Sequence, residues 1–196
     1  MHWSDEGYLL SKNNFDENSI IIETITSKHG KYSGIVYGGS SKKQKKNFQI
    51  GNKIFLNWNS KGENRPGYFN VELIKPVSPF YFDDKKKIAS ILSASSFLKI
   101  LLPERQLNEK IYISYENFLN SLESESWISL YVMWELSLIK DLGFESNYVP
   151  NNFESKNIND IRKALAFNKK LIMENFIIPN NLKIPLFRNI LERYYS

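Results

Sequence analysis

The chain has 196 residues, 42% of them apolar, which is enough to bury a sizeable core and excludes a fully disordered protein. Its 26 Lys and Arg against 21 Asp and Glu leave a formal net charge of +5, a mild lean toward an anionic partner. There is no cysteine, so disulfides, thiol catalysis and thiolate metal sites are all excluded. The opening Met1-His2-Trp3-Ser4-Asp5-Glu6 has neither a basic nor an apolar segment of the kind that begins a secretory signal. The longest apolar runs are too short to span a membrane. A cytoplasmic protein without a membrane anchor is the expectation.

From Glu6 to Lys75 the chain alternates in short apolar bursts separated by turn residues, the pattern of strands. Five are predicted, near Glu6 to Lys12, Ser19 to Thr26, Lys31 to Tyr37, Lys53 to Asn59 and Tyr68 to Ile74. Ser27-Lys28-His29-Gly30 is short enough for a hairpin, and Gly30 can take the positive φ such turns need. Pro76 and Pro79 then mark a boundary between a first domain, residues 1–78, and a second, 79–196. Beyond them the period becomes helical. Ile88, Ile91, Leu92, Ser95, Leu98 and Leu102 share one face, ending at Pro103. Ile111, Tyr112, Tyr115, Phe118, Leu119 and Leu122 form a second stripe, with Asn108 as N-cap. Trp127, Leu130, Tyr131, Trp134 and Leu138 form a third, closed by Gly143 as a C-terminal cap. A polar loop over Gly143 to Asn159 leads to a helix near Asp160 to Phe176 and a short one from Pro185 to Tyr195. The expected fold class is therefore α+β. Five strands in so short a stretch close most economically into an OB-type β-barrel, with an SH3-like barrel as alternative, followed by an all-α domain.

Between Thr24 and Gly62 stand eight lysines, Lys28, Lys31, Lys42, Lys43, Lys45, Lys46, Lys53 and Lys61, and no Asp or Glu. At its centre Gly38-Gly39-Ser40-Ser41 gives a flexible lead into four ammonium groups that can follow a phosphate backbone. Taken alone, a solvated lysine-rich loop is an equal reading. Tyr32, Tyr37, Phe48, Phe55, Trp58 and Tyr68 lie in or beside the same strands, and rings on an OB barrel stack bases while lysines hold phosphates. Strands alternate faces, so about half of these rings belong to the core. A single-stranded nucleic acid is the expected ligand, with Lys28, Lys31, Lys42, Lys43, Lys45, Lys46, Lys53 and Arg65 as its contacts.

Catalytic signals are weak. His2 and His29 are the two histidines, neither beside a nucleophile, and His29 reads as a turn residue. Asp5-Glu6 and Asp16-Glu17 are adjacent carboxylates, but neighbours on a strand point to opposite faces. No Walker loop, GxSxG elbow, HExxH or dinucleotide fingerprint is present. A small Mg²⁺-dependent hydrolase therefore ranks last, and the expectation is no enzyme, no cofactor and no metal.

Trp3-x-Asp5-Glu6-Gly7-x-x-Leu10-Ser11, Glu17-Asn18-Ser19 and Thr26-x-x-x-Gly30-x-x-x-Gly34-x-Val36-x-Gly38-Gly39-x-Ser41-Lys42-Lys43 together resemble the opening of RecO proteins, in the α-proteobacterial style. Gln49-x-Gly51-Asn52, Gly67-Tyr68-Phe69-x-Val71-Glu72, Leu101-Leu102-Pro103-Glu104-Arg105 and Trp134-Glu135-Leu136-x-Leu138-x-x-x-Leu142-Gly143-Phe144 are similar to later parts of the same family, and Leu186-Phe187-Arg188 to its last helix. The resemblance implies an OB barrel and a helical domain acting without covalent chemistry. Such a protein is a recombination mediator that anneals DNA strands and works with RecR to load recombinase on DNA coated by single-strand-binding protein (SSB), in the bacterial nucleoid. It also implies a site for the acidic C-terminal tail of SSB, expected on apolar residues Leu98, Leu101 and Leu102 with Lys169 and Lys170 as cations. Many relatives carry a Cys-rich zinc-type insert after the Leu-Gly-Phe motif, and here it is missing. An RNA-binding or ribosome-associated OB module is the alternative from another class. Without thiolates and with two His, EDTA is expected to leave helicity and melting temperature unchanged. A large drop in either on chelation contradicts this.

Overall fold

The computed structural model describes residues 2–41, 44, 46–60, 62, 67–144 and 153–196. Five strands, β1 (His2–Asn14), β2 (Ser19–Thr26), β3 (Gly30–Tyr37), β4 (Lys53–Asn59) and β5 (Tyr68–Lys75), form one sheet closed in the order β1-β2-β3-β5-β4. All ladders are antiparallel except the short parallel contact of β3 with β5, where Ile35 pairs with Tyr68. This is the OB-type barrel. Strand β1 begins four residues before the expected start, because His2 to Ser4 extend the ladder along Asn57 to Asn59. A helical turn at Ser78–Tyr81 precedes α1 (Lys85–Leu101), α2 (Glu109–Asn120), α3 (Trp127–Asp141), α4 (Ile158–Ile172) and α5 (Leu186–Arg193). The fold is α+β.

Helix ends follow side-chain chemistry. Asp84 accepts hydrogen bonds from the Lys86 and Lys87 backbone N–H groups, and Asn108 accepts one from Ile111. Helix α3 stops at Gly143 with φ +94°. There the N–H of Gly143 reaches the Lys140 carbonyl and that of Phe144 the Ile139 carbonyl, satisfying two carbonyls of the last turn. The loop expected over Gly143 to Asn159 lies partly outside the described residues. Helix α4 runs straight into a wider turn at Met173–Ile177, which accounts for the longer helix expected to Phe176.

Two apolar clusters hold the molecule. Leu9, Ile20, Ile22, Val36, Phe48, Ile54, Leu56, Trp58 and Phe69 fill the barrel. The other cluster spans barrel and helices, because Tyr8, Leu10 and Ile25 on the barrel's outer face and Val77 after β5 join the buried residues of the helices. A bulge between Leu9 and Ser11 lets β1 follow this packing. Leu98 is fully buried here and Leu102 nearly so, which corrects their assignment to an exposed socket.

The helices are tied together by a buried polar cluster. Arg188 of α5 donates through Nε to Glu135 of α3 at 2.5 Å and through Nη2 to the Leu165 carbonyl of α4 at 2.6 Å. Glu135 also accepts from Tyr131 (2.8 Å) and Asn168 (3.1 Å), and Tyr131 shares a hydrogen bond with Ser93 of α1 (2.8 Å). Arg188 and Glu135 are both wholly buried. Removing one partner leaves an uncompensated charge in the core, so Arg188→Met is expected to cost about 3–5 kcal/mol in urea unfolding. The double change Arg188→Met with Glu135→Met should recover most of that loss. Equal losses for the single and double variants would contradict a coupled pair.

Candidate nucleic-acid interface

On the outside of the β2–β3 ladder the facing pairs run, from one end to the other, Ser19 with Tyr37, Ile21 with Ile35, Glu23 with Ser33, and Ile25 with Lys31. The two ends differ. At the Lys31 end the ladder is covered by the helical domain. The Lys31 ammonium is buried and donates to the Lys99 carbonyl of α1 at 2.7 Å, and its carbonyl accepts from the Arg105 N–H at 2.8 Å. Burial pushes the Lys31 ammonium below the usual lysine range, with Glu23 and Glu104 acting against that shift. Lys99 turns back to pair with Glu23 at 2.9 Å. Gly30, with φ +78°, leaves no room for a side chain, since a β-carbon there would lie 2.0 Å from the Gln106 carbonyl.

At the Tyr37 end the ladder is open. Tyr37 is 66% exposed and its ring lies 6.0 Å from that of Tyr68, the first residue of β5. Phe15, 54% exposed, follows β1 and is bonded through its backbone N–H to the Ser19 carbonyl. The lysine-rich segment begins directly after Tyr37. Lys46 is exposed, and two residues on Phe48 plugs the barrel, so the segment is pinned at its far end. Asn52 completes this anchor, donating to the Asn47 carbonyl and accepting from the Val77 N–H. Two aromatic rings on the outside of the barrel suit stacked bases.

The sequence-predicted residues divide accordingly. Lys28 is exposed in the β2–β3 turn and Lys46 in the lysine segment. Lys42, Lys43, Lys45 and Arg65 lie outside the described residues. Lys31 and Lys53 are corrected. Lys53 pairs with Glu6 at 3.0 Å and with Glu116 of α2 at 2.9 Å, and Tyr8 donates to the same Glu116 at 2.8 Å. Burial works against the Lys53 cation, but these carboxylates hold its affinity for the proton above the ordinary lysine range. Lys31 is buried between the barrel and α1, and the partly buried Lys53 is held by carboxylates of both the barrel and α2. Among the rings, Phe48 and Trp58 are core, Tyr32 lines the barrel interior, Phe55 lies half-buried on the outside of β4, and Tyr37 and Tyr68 are the outward pair.

The partner site expected in the helical domain does not assemble either. Leu101 is half-buried against the same core as Leu98 and Leu102. Lys169 pairs with Glu192 at 2.7 Å, and Lys170 is exposed, 3.9 Å from Glu174. Helix α5 packs along α1, whereas α4, which carries both lysines, packs on α3. Of the candidate carboxylates, Asp5, Glu6 and Asp16 have structural partners. Asp16 accepts from the Asn18 and Ser19 N–H groups at the β1–β2 turn. Among the described residues no group of three or more His, Asp or Glu could hold a metal ion, and no helix is long and apolar enough to cross a membrane.

Pattern reading missed the anchor of the β2–β3 turn. Asp5, buried on β1, accepts from the Ser27 hydroxyl (2.5 Å), the Lys28 N–H (2.8 Å) and the Glu6 N–H (2.8 Å), and its carboxylate lies 2.9 Å from His29 Nδ1. Burial alone would raise its pKa, but the Ser27, His29, Lys28 and Glu6 contacts together hold it below the usual carboxylate value. The signal was the Asp5…His29-Gly30 pair, legible only once β1 and the turn are known to be neighbours.

An OB-type barrel packed against a set of helices defines the class. The sequence profile for "Recombination protein O N terminal" matches residues 1–77, and that for "Recombination protein O C terminal" matches 83–148. Proteins named DNA repair protein RecO are similar over 74% of this chain. That of Roseobacter denitrificans is 34% identical over 145 residues, that of Hyphomonas neptunium 35% over 147, and that of Cereibacter sphaeroides 32% over 144. The chain belongs to the RecO family. It spans about 60% of the length of these relatives.

Because a carboxylate with a depressed pKa stabilises the fold above its unfolded value and loses that contribution as pH falls through the folded one, Asp5→Asn has a predictable pH signature. Loss of these charge-assisted bonds should cost about 2–3 kcal/mol at pH 7. The gap from wild type in thermal unfolding should shrink below about pH 4. A gap that stays constant down to pH 2 would show that the charge of Asp5 contributes nothing.

Proposed function

We propose that this chain is a non-enzymatic recombination mediator that binds single-stranded DNA on the open face of its barrel, anneals complementary strands and helps load recombinase on SSB-coated DNA together with RecR. The observation that carries the reading is the ring pair of exposed Tyr37 and half-buried Tyr68 on the outside of the barrel, where the chain enters the lysine segment. Family membership supports it, since the relatives are named as DNA repair proteins. A mediator must hold strands and then release them. Lysine contacts suit this, being individually weak and screened by salt. Binding to double-stranded DNA uses the same phosphate contacts and no base contact. The helical half receives the protein partners. Between α3 and α4 a groove of about 410 Å³, lined by Val132, Leu136, Phe153, Ala164 and Phe167 with Lys163 and Asp160, has the apolar character that an SSB tail ending in an aromatic residue requires. The protein works in the bacterial cytoplasm, at the nucleoid.

The test is binding of a fluorescent oligo(dT) strand over a range of salt, with annealing followed in parallel with and without SSB. Changing Lys42, Lys43, Lys45 and Lys46 to Ala should lower the slope of log affinity against log salt by up to about 0.7 per lost contact. Annealing should slow with it. An unchanged slope means that the segment does not touch phosphate.

A further inference from the structure

At the end of the β2–β3 hairpin away from the lysine segment, three rings form a parallel column. The imidazole of His29 lies 4.1 Å from the indole of Trp3 with 9° between planes, and Trp3 lies 5.6 Å from Trp58 at 14°. Tyr32 closes the side of the column edge-on, 4.9 Å from Trp3 and 5.4 Å from Trp58. The inner end, Trp58, is buried in the barrel. The outer end is His29, whose side chain keeps 30% of its surface in solvent. Trp3 covers one face of the imidazole and Asp5 takes its Nδ1 edge, so the solvent-exposed part is the opposite face and the remaining edge. The ring cannot turn freely, because Asp5 holds it at 2.9 Å while Thr26 accepts from its backbone N–H at 3.1 Å.

Two cations are near the column, Lys28 directly before His29 in the turn and Arg105 over Tyr32, whose ring centre is 6.4 Å from that of His29. Lys28 is exposed with its backbone fixed by Asp5. Arg105 reaches in from the segment after α1, held in a left-handed conformation (φ 61°) by its N–H bond to the Lys31 carbonyl, with its guanidinium carbon 5.9 Å from the centre of the Tyr32 ring. Among the described residues neither is paired with a carboxylate, in contrast to Lys31's neighbour Lys99 and to Lys53. A pre-oriented flat ring with an open face and cations alongside matches an anionic ligand with a planar group. A folded protein surface or an aliphatic chain would instead call for an apolar rim.

We propose that the outer face of His29 is a stacking site for an unpaired nucleobase, with Lys28 and Arg105 taking the adjoining phosphates. This rests on the single-strand reading above and adds a second contact point to it, at the other end of the hairpin from the lysine segment. Stacking on an already assembled column costs little ordering, since Trp3, Trp58 and Asp5 fix the imidazole before any ligand arrives. It is also tolerant of base identity, because every base presents a π-face.

The experiment uses the full-length chain and two fluorescent strands of equal length, oligo(dT) and an abasic phosphodiester strand with the same charge. Wild type should bind oligo(dT) more tightly than the abasic strand. His29→Ala should weaken oligo(dT) binding by about five- to tenfold, the low end of the range for losing one stacked base, and leave the abasic strand unchanged. His29→Phe, which restores a ring but not the Asp5 contact, should recover oligo(dT) binding and so separates stacking from damage to the turn. Lys28→Gln with Arg105→Gln should weaken both strands alike. If wild type binds oligo(dT) but His29→Ala and His29→Phe bind it equally well, the stacking site is wrong while the single-strand reading stands. If wild type does not bind oligo(dT) at all, both fall.

Discussion

The packing of the helical domain onto the outside of β1 and β2 decides what the rest of the molecule is free to do. Tyr8, Leu10 and Ile25 would be solvent-facing positions on an isolated barrel, yet here they belong to the same buried cluster as the helices. Burying such side chains gains roughly 1.5–3 kcal/mol each relative to exposure, enough to make the shared core a large part of the fold's stability. Polar contacts then fix its alignment. Glu116 gathers Tyr8 and Lys53, Lys31 reaches the end of α1, and Lys99 returns to Glu23. The arrangement is one of mutual satisfaction, each of these three lysines finding an acceptor contributed by the other half.

That constraint makes the barrel asymmetric. One flank is used up by the helices, and at the far end of the β2–β3 ladder Tyr37 is exposed with Tyr68 half-buried beside it. The lysine-rich connection of β3 to β4 leaves from this open end and returns by plugging the barrel with Phe48. Charge in this protein is thus divided between two tasks. Lys31, Lys53 and Lys99 hold the halves together, and Lys28 and Lys46 are exposed.

Much of the fold was legible because its signals are local. Four of the five strands are found within one residue of their expected bounds, and the Asn108 and Gly143 caps act as residue chemistry requires. What composition could not reveal is which lysine meets which carboxylate. Lys28 and Lys31 stand three residues apart in one basic stretch, but a single turn sends one to solvent and the other into the interface with α1. Glu116 and Lys99, their fate-determining partners for Lys53 and Glu23, lie far away in sequence. Leu98 and Leu102 illustrate the same limit for apolar residues, since periodicity identifies a buried stripe without telling core from socket. The Arg188–Glu135 pair was hidden for a related reason. An Arg in a short amphipathic helix reads as surface until four helices are seen to converge on it.

The most direct measurement is ultraviolet cross-linking of an oligo(dT) strand to the intact protein, followed by mapping of the modified peptides. If the uncovered flank of the barrel carries the strand, cross-links fall on Tyr37, Tyr68 and the segment from Gly38 to Asn47, and Tyr8 and Tyr112, closed in by the helices, stay unmodified. Cross-links confined to peptides of α2 or α4, with Tyr37 and Tyr68 untouched, would contradict it.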